Sequence, residues 1–454
     1  MDATWVTAWQ GLCQRLGPAF TDPTFVTFLH IATGWVLCRS KPTVTNLICT
    51  IGTSLLGHAA KHWTVYERFF YRAAWELLDL SCLLLVEVVA PLIRACGLVQ
   101  VVDLAIDDTT CGRCGRHVAF AGYFKDASVS NTLQAVVHWS HNWVIGAVML
   151  RTKRWPNWVI GLPVWFTLYR KRPDCNRQHP FRTRQQIAAE MIRQTRQALP
   201  EMPLRVATDG QYATKEVVEA VAGVRSNLVS RIRSDAAIYA LPAKRKGGQR
   251  GASRKKGKRL PTPRQIAARR KKGWRWVEAR MYGKVRQRYV LSIECLWYHV
   301  GRTHPIQLLI VRDPEGQEKD DYLFCTDPAV QAVEILERFA ARWPIEESIE
   351  EGKQLGGMEQ VQGWCQRTVL RQAPLALVVQ TLVKAWYLRQ GVQAKAAQPQ
   401  GTPWQPTKDH PSYLDMLATL RRALGTQRIM GNSTLVSRVR GFWKTLQFAL
   451  CAAA

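Results

Sequence analysis

The sequence has no long uninterrupted hydrophobic run. Its best membrane-span candidate, residues 77–93, is broken by Asp79, Glu87 and Pro91, and the apolar runs that remain are far too short to cross a bilayer. This stretch therefore predicts a buried helix. Near the start, Asp2 is present and no positively charged segment precedes an apolar stretch, so no secretory signal is predicted.

Acidic residues are also scarce. The chain has 34 Asp and Glu against 63 Lys and Arg over 454 residues, which gives a net charge of +29 and a pI near 10.0. A field of this size favours a polyanionic partner, most commonly nucleic acid, with an anionic membrane surface as the competing interpretation. At 47% hydrophobic residues, the chain can bury real cores, and its length predicts two to four domains.

The 12 cysteines show no repeating framework, which fits a reducing compartment and mostly buried, free thiols. Only Cys111 and Cys114, in a run that ends at His117, are spaced like a metal knuckle. A structural zinc site usually needs two such pairs, and the sequence has no second one. A turn with two incidental cysteines is therefore favoured over a zinc site.

The pattern along the chain predicts an α/β fold. The first 95 residues are predicted helical, and the aromatic and basic segment 62–70 fits either a DNA contact or an inward-packed amphipathic helix. A buried strand is predicted at 98–106 and ends in Asp107 and Asp108, and a second at 204–208 ends in Asp209. With the β-like runs 117–124, 133–138, 144–150, 163–169 and 228–232 and helices at 183–199 and 215–222, these strands predict a mixed sheet with packed helices. Ligands bind where strands end in open α/β sheets, so the three carboxylates are candidate site residues.

Residues 244–275 contain fifteen Lys or Arg and no acid. Such a block repels itself, which predicts a flexible basic arm without a core that binds a phosphate backbone regardless of sequence. Its candidate DNA-binding residues are Arg254, Lys255, Lys256, Arg269, Arg270, Lys271 and Lys272. Strand-like alternation follows at 276–295 and 306–324 and predicts an antiparallel insertion, then helices at 329–353 and 368–388, a linker at 393–407 and a helical, basic end at 412–454.

Phe339, Arg342, Glu346 and Lys353 are spaced by three, four and seven residues, so on one continuous helix they share a stripe. An acid beside two cations and an aromatic ring suits a metal-bound phosphodiester: Glu346 would hold a divalent cation, and Arg342 and Lys353 would hold phosphate oxygens. The alternative is a solvated helix with ion pairs.

At these residues the chain resembles the DDE transposases of bacterial insertion sequences. It is most similar to the branch with a Tyr-x2-Arg-x3-Glu-x6-Lys signature and a β-rich insertion before the helix that carries it. The resemblance implies a ribonuclease H-like catalytic core in which Asp107 or Asp108, then Asp209 and Glu346, are the catalytic acids and metal ligands. Asp107 is preferred, because neighbours on a strand face opposite sides and only one of the two can reach the metal.

Two departures from the branch pattern bear on the helix. Phe339 replaces the signature Tyr, which removes a hydroxyl but keeps the ring. Pro344 lies inside the motif, and a proline there kinks a helix or begins a new one. If the helix restarts, Phe339 and Arg342 leave the common stripe.

The resemblance further implies two Mg²⁺ ions, for which Mn²⁺ can substitute, and double-stranded DNA as partner, both element ends and target. It implies no membrane partner, a homodimer in the DNA complex and a cytoplasmic, nucleoid-associated location in a bacterium. An indole of Trp274, Trp276 or Trp297 could stack on a flipped base. The expected regions are 1–95 (helical, DNA-binding), 96–240 and 329–392 (the two parts of the catalytic core), 241–328 (basic loop and β-rich insertion) and 393–454 (linker and helical end).

The predicted function is metal-dependent cleavage at element ends followed by transfer of the freed 3′-hydroxyl into target DNA. Two alternatives stay open. One is a transposase-derived DNA-binding protein without activity, and the other is a ribonuclease H-like nuclease or resolvase.

Overall fold

The computed structural model describes residues 3–126, 130, 134–243, 252, 254–390 and 408–430. Within them, ten strands form one mixed sheet, and a separate two-stranded ribbon, β1 and β2, lies near the start of the chain. The strands are β1 (Ser54–Leu55), β2 (His58–Ala59), β3 (Val102–Gly112), β4 (Gly122–Lys125), β5 (Val137–Arg151), β6 (Val159–Tyr169), β7 (Leu204–Thr208), β8 (Asn227–Arg231), β9 (Arg275–Met281), β10 (Lys284–Leu296), β11 (Pro305–Arg312) and β12 (Asp321–Cys325).

Helices cover both faces of the sheet and form the beginning and end of the described chain. They are α1 (Ala3–Gln14), α2 (Asp22–Leu37), α3 (Val44–Ile51), α4 (Trp63–Tyr71), α5 (Leu77–Leu83), α6 (Ala90–Cys96), α7 (Arg184–Ala198), α8 (Lys215–Gly223), α9 (Pro263–Arg269), α10 (Tyr298–Gly301), α11 (Ala332–Ala340), α12 (Pro344–Gln354), α13 (Gln366–Arg389) and α14 (Tyr413–Met430). A π-helical turn, Leu84–Val89, joins α5 to α6.

The central part of the sheet has the order β6-β5-β3-β7-β8. Strands β6, β5 and β3 pair antiparallel, whereas β3, β7 and β8 pair parallel. This order and these directions are those of a ribonuclease H-like sheet, and helices pack on it. The predicted α/β fold with a mixed sheet is confirmed.

The β-rich insertion continues this sheet. Strand β12 pairs antiparallel with β8, and β11, β10 and β9 follow in antiparallel order. The insertion therefore shares the backbone hydrogen bonding of the central strands and is anchored beside the strand that precedes it in the chain.

Several predicted boundaries were wrong. The runs predicted at 133–138 and 144–150 belong to one strand, β5, which the structure describes from Val137, and 117–121 is irregular. The run predicted at 306–324 divides into β11 and β12 around a turn near Gly316, whose positive φ of 69° suits glycine.

Part of the basic block forms a helix. Residues 244–251 and 253 lie outside the described residues, but α9 forms in the second half of the block. Thr262 and Gln265 form a capping box at its start, and Ile266 and Ala267 are buried. These buried apolar residues anchor α9 within the cationic run. The prediction of an arm without a core did not include such an anchored helix.

The first 95 residues pack onto the rest of the chain. One hydrophobic core cluster runs from Val6 and Trp35 in the first helices, through the sheet strands, to Trp386 in α13. In segment 62–70, Tyr66, Phe69 and Phe70 are buried, so the inward-packed interpretation describes these three rings, although Trp63 is exposed.

Residues 77–93 are helical as predicted, and no helix in the described part of the chain is both long and apolar enough to span a membrane. Helix α14 lies in the region 412–454 that was predicted helical; residues 431–454 and 391–407, which include the predicted linker, lie outside the described residues.

Candidate active site

Asp107 lies within β3 and Asp209 directly after β7, the parallel neighbour of β3. The strand predicted at 98–106 instead runs from Val102 through Asp107 to Gly112. The β3–β7 register pairs Ile106 with Thr208, so the next residue on each strand is the aspartate. Residues in register on adjacent strands project from the same face of a sheet. Strand β7 ends at Thr208, and the Asp209 carboxylate accepts a hydrogen bond from the Gln211 amide at 2.7 Å, which caps a 3₁₀ turn.

Helix α12 brings Glu346 to the same face. The helix packs on β6 and β3, where Ser348 Oγ donates to the Gly161 carbonyl at 3.2 Å. Just before the helix, Arg342 donates from Nη1 to Asp107 at 2.8 Å and from Nη2 to Glu346 at 2.7 Å. One guanidinium thus connects the first and third predicted acids.

The single stripe of one continuous helix does not form; the alternative raised by Pro344, a helix that restarts there, is what the structure has. Helix α11 ends at Ala340, a turn follows, and Pro344 begins α12, where its missing N–H costs nothing. Phe339 packs in a core cluster with Ile335 and is only 5% exposed. The turn nevertheless keeps Arg342 against Glu346, so the pair survives the break.

Lys353 lies in the last turn of α12, seven residues after Glu346. Its Nζ is 3.9 Å from Glu359, and a quarter of its side chain is exposed. The ammonium is therefore only loosely paired.

Asp108 faces the other side of β3. Its carboxylate accepts from Arg184 Nη1 at 2.7 Å, Asn142 Nδ2 at 2.8 Å and Tyr212 Oη at 2.8 Å, and from the Gln211 side-chain amide. These donors come from α7, β5 and the turn that follows Asp209. Asp108 is thus surrounded by protein donors, whereas Asp107 shares a face with Glu346 and Asp209.

The donors around Asp108 were not anticipated from sequence. They lie 34 to 104 residues away in the chain, and only pairing of the strands brings them together. The sequence signal that could have indicated these donors is Tyr212, which lies three residues after Asp209.

Burial raises the pKa of Asp107 to about 7, and the nearby charges of Asp209 and Asp108 add to the rise although Arg342 opposes it. The Tyr212 hydroxyl has a pKa raised well above its ordinary value, because it is buried and lies beside Asp108. The Asp107 carboxylate therefore lies in a place where additional positive charge would be favourable.

The donor chemistry fits a divalent cation, since three carboxylates offer the hard oxygens that Mg²⁺ and Mn²⁺ prefer. No group of three His, Cys, Asp or Glu in the described residues is close enough to form a ready-made metal centre. Arg342 lies between Asp107 and Glu346 instead. The residues therefore suit the ions chemically, and assembling the centre requires Arg342 to release at least one carboxylate.

The seven candidate DNA-binding residues of the basic block are all exposed, and among the described residues none has a carboxylate within ion-pair distance. Lys256 Nζ lies 4.2 Å from the centre of the Tyr239 ring and 4.7 Å from that of Tyr298. The charge of this surface is thus largely uncompensated.

The three candidate base-stacking tryptophans differ in exposure. Trp276 is 47% exposed, whereas Trp297 is 9% exposed and packs edge-on against Phe324. Trp274 donates to the Arg270 carbonyl at 2.8 Å and lies under Arg312. Of the three, Trp276 presents the most ring surface.

The cysteine pair does not resemble a metal knuckle. Cys111 is buried in β3 with a pKa raised to about 11 by burial, whereas Cys114 is exposed. Both are free thiols.

Residues 15–288 match the model of a protein family described as "DDE superfamily endonuclease". The chain belongs to this family. The match includes Asp107 and Asp209 and ends before Glu346. Enzymes of the DDE type generally use divalent metal ions, and membership makes the chain an endonuclease-like protein.

A solved structure with similarity to this member of the family is the cryo-EM structure of the piggyBac transposase synaptic complex with hairpin DNA. The similarity has a TM-score of 0.35 at 10% sequence identity and covers 97% of this chain and 82% of that one. No curated protein matches the sequence.

Proposed function

We propose that this protein is a DNA transposase of the insertion-sequence type, which cuts DNA at the element's ends and joins the freed 3′-hydroxyl to target DNA. The observation that carries the proposal is the bridge from Arg342 to both Asp107 and Glu346 on the sheet face where Asp209 also ends its strand. Arg342 connects two acids that are distant in sequence, and the strand pairing sets Asp209 beside the first of them, which supports a phosphodiester as the substrate.

Asp107, Asp209 and Glu346 would hold the divalent ions, two Mg²⁺ with Mn²⁺ as substitute. When bound, such ions stabilise the charge on the attacking and leaving oxygens of a phosphodiester. Asp108 is the less suitable first acid, because four protein donors already occupy its carboxylate and it faces away from Glu346.

Arg342 and Lys353 would position the DNA phosphates. A guanidinium released from Asp107 can donate two parallel hydrogen bonds to a phosphate, and Lys353 contributes a point charge from the same helix as Glu346. The exposed cations of the basic block would hold the backbone further away, without regard to sequence. In the complex we expect two copies of the chain on two element ends, in a cytoplasmic, nucleoid-associated setting.

The test uses linear DNA that carries the inverted repeats flanking the gene, incubated with the purified chain and Mg²⁺ or Mn²⁺. We expect nicking at the repeat ends and joining of that end to a target plasmid. Glu346→Gln should abolish both reactions and leave DNA binding intact. Glu350→Gln is the matched control, because Glu350 is exposed one turn later on the same helix and contacts only Gln354 in the described structure.

Other results would select the alternatives. Cutting of four-way junctions or RNA–DNA hybrids in preference to element ends would indicate a ribonuclease H-like nuclease or resolvase. DNA binding without nicking under any divalent ion would indicate an inactive, transposase-derived binding protein.

A further inference from the structure

A second concentration of positive charge follows strand β6. Residues 170–182 contain five Lys or Arg and one acid, Asp174. Unlike the basic block, this segment lies entirely within the described structure, where it connects β6 to α7. It contains a short 3₁₀ turn, Arg172–Asp174, and its cations form a second basic surface.

This segment lines a cavity of about 730 Å³ together with the first turns of α13 and the start of α5. Arg170 and Arg182 contribute from the segment, and Arg367 and Arg371 from α13. The apolar part of the wall includes Phe166. We name these residues and this volume the arginine cavity.

The four arginines of the arginine cavity are not equally engaged. Arg371 donates to the Phe70 and Ala73 carbonyls at 3.3 and 2.9 Å and to the Trp75 carbonyl, and it lies 3.6 Å from Glu76. It is a structural residue that ties α13 to the segment before α5.

The other three arginines have no carboxylate partner in the described part of the chain. The Arg170 guanidinium is half-buried and lies 4.2 Å from the centre of the Phe120 ring, a contact that leaves its charge unneutralised. Arg182 and Arg367 are exposed. The pKa of Arg170 is lowered by burial and further by the charge of Arg182, although Cys175 and Asp174 oppose the fall, so the two cations lie within each other's field. An anion between them would relieve both effects.

The arginine cavity lies at the same end of the sheet as the candidate active site. Phe166 pairs with Ile145, and Ile145 pairs with Asp107, so the three residues form one row across the sheet. At about 4.8 Å per strand, the row places the β6 backbone roughly 10 Å from that of Asp107. A DNA strand with its scissile phosphate at Asp107 can reach the cavity within a few nucleotides.

We propose that the arginine cavity binds the phosphodiester backbone of a DNA strand that continues from the candidate active site. This inference rests on the proposed function and adds a second contact on the same strand. Its volume lies in the range of small-ligand pockets, which admits a single strand but not a whole duplex. Guanidinium groups bind phosphate oxygens in bidentate fashion, so recognition would be independent of base sequence.

The test measures DNA affinity against salt concentration in a chelating buffer without divalent ions, so that the acid site does not contribute. A labelled duplex with a single-stranded end is titrated by fluorescence anisotropy with the wild-type chain and with a triple variant. In a plot of the logarithm of the binding constant against the logarithm of the salt concentration, each phosphate contact contributes about 0.7 to 0.9 to the magnitude of the slope. Removing three contacts should therefore reduce that magnitude by about 2 to 3. The triple variant is Arg170→Gln, Arg182→Gln and Arg367→Gln; the matched control, which removes three charges from exposed positions elsewhere, is Arg94→Gln, Arg193→Gln and Arg225→Gln.

Support requires that the slope falls in the triple variant, stays close to wild type in the control, and falls more with the single-stranded end than with a blunt duplex. If the wild type binds DNA and the slope is unchanged in a folded triple variant, the proposal that the arginine cavity binds the DNA backbone is overturned. The proposed function is then unaffected. If the wild type binds neither DNA, the proposed function fails as well. Stabilisation of the wild type by inorganic tripolyphosphate, lost in the triple variant without any change in the DNA slope, would assign the cavity to a free polyphosphate instead.

Discussion

The guanidinium of Arg342 lies 2.8 Å from the carboxylate of Asp107 and 2.7 Å from that of Glu346, although the first pair is 235 residues apart in sequence. Its Nε is buried without a hydrogen-bond partner in the described structure. Arg342 therefore stands in a carboxylate site with part of its donor capacity unused. The arrangement lets two partly buried acids lie close together without a metal, since the guanidinium offsets their repulsion.

The raised pKa of Asp107 predicts how stability depends on pH. Between its ordinary value of 3.8 and about 7, the folded protein keeps a proton that the unfolded chain has released. That stabilisation is fully present below pH 4 and is lost as the pH rises through 7. Asp107→Asn imitates the protonated form, so in chelating buffer it should be more stable than wild type at pH 8, by on the order of 2 to 4 kcal/mol at about 1.4 kcal/mol per pKa unit.

Denaturant unfolding of both proteins from pH 4 to pH 8 checks this expectation. The difference should shrink towards zero at the acid end. A constant difference across the range would contradict the assigned cause.

The Asp108 network predicts a structural effect that differs from that of Asp107. Asp108→Asn would leave Arg184 and Tyr212 without their charged acceptor, at a cost of about 2 to 3 kcal/mol for hydrogen bonds to a charged group. Tyr212→Phe removes one donor only and should cost about 1 kcal/mol. Denaturant unfolding at pH 7 gives both values; if Asp108→Asn were as stable as wild type, the network would not hold the turn after Asp209.

Local sequence patterns were enough to predict the class of the fold and to place the candidate acids Asp107 and Asp209 next to buried strands. Short apolar runs before Asp107 and Asp209 predicted two strands, and β3 and β7 do pair in parallel with Ile106 opposite Thr208, although β3 continues past Asp107 to Gly112. The spacing alone indicated one helix, whereas Pro344 within the motif indicated the restart that the structure shows. The strand alternation correctly warned that Asp107 and Asp108 would face opposite ways.

The long-range contacts could not be predicted from the sequence. Nothing near Arg342 shows that it pairs with Asp107, since that contact depends on how α12 is seated on β3 and β6. Similarly, Arg170 and Arg367 are 197 residues apart in numbering and become neighbours only when β6 and α13 pack. The basic block was interpreted from its positive charge alone, so the apolar residues Ile266 and Ala267, which anchor α9 within it, were overlooked.

Gly161 predicts how tightly α12 must sit on the sheet. A Cβ at this position would lie 2.5 Å from Ser348 Oγ and 2.6 Å from the Pro344 carbonyl, both in α12. Gly161→Ala should therefore push the helix that carries Glu346 away from β6, with a loss of about 1 to 3 kcal/mol from overpacking. Nicking should fall by more than the loss of folded protein explains.

Gly223→Ala is the matched control, since a Cβ there meets nothing within 4 Å. Its stability should stay within about 1 kcal/mol of wild type, and its nicking should be unchanged. Equal effects of the two substitutions would show that the seating of α12 does not matter.

The position of Arg342 predicts competition with divalent cations. If Mg²⁺ and the guanidinium use the same carboxylates, removing the guanidinium should strengthen Mg²⁺ binding in the absence of DNA. Binding to the folded state stabilises it according to the ratio of ligand concentration to dissociation constant, so Mg²⁺ should raise the melting temperature of Arg342→Gln more than that of wild type. Thermal unfolding at increasing Mg²⁺, with ionic strength held constant, measures the difference. Arg233→Gln serves as control, because Arg233 is exposed and pairs with Asp235 instead of the candidate acids. Adding Glu346→Gln to Arg342→Gln should remove the gain, since one of the three proposed ligands is then gone; a gain that persists in the double variant would place the cation elsewhere on the protein.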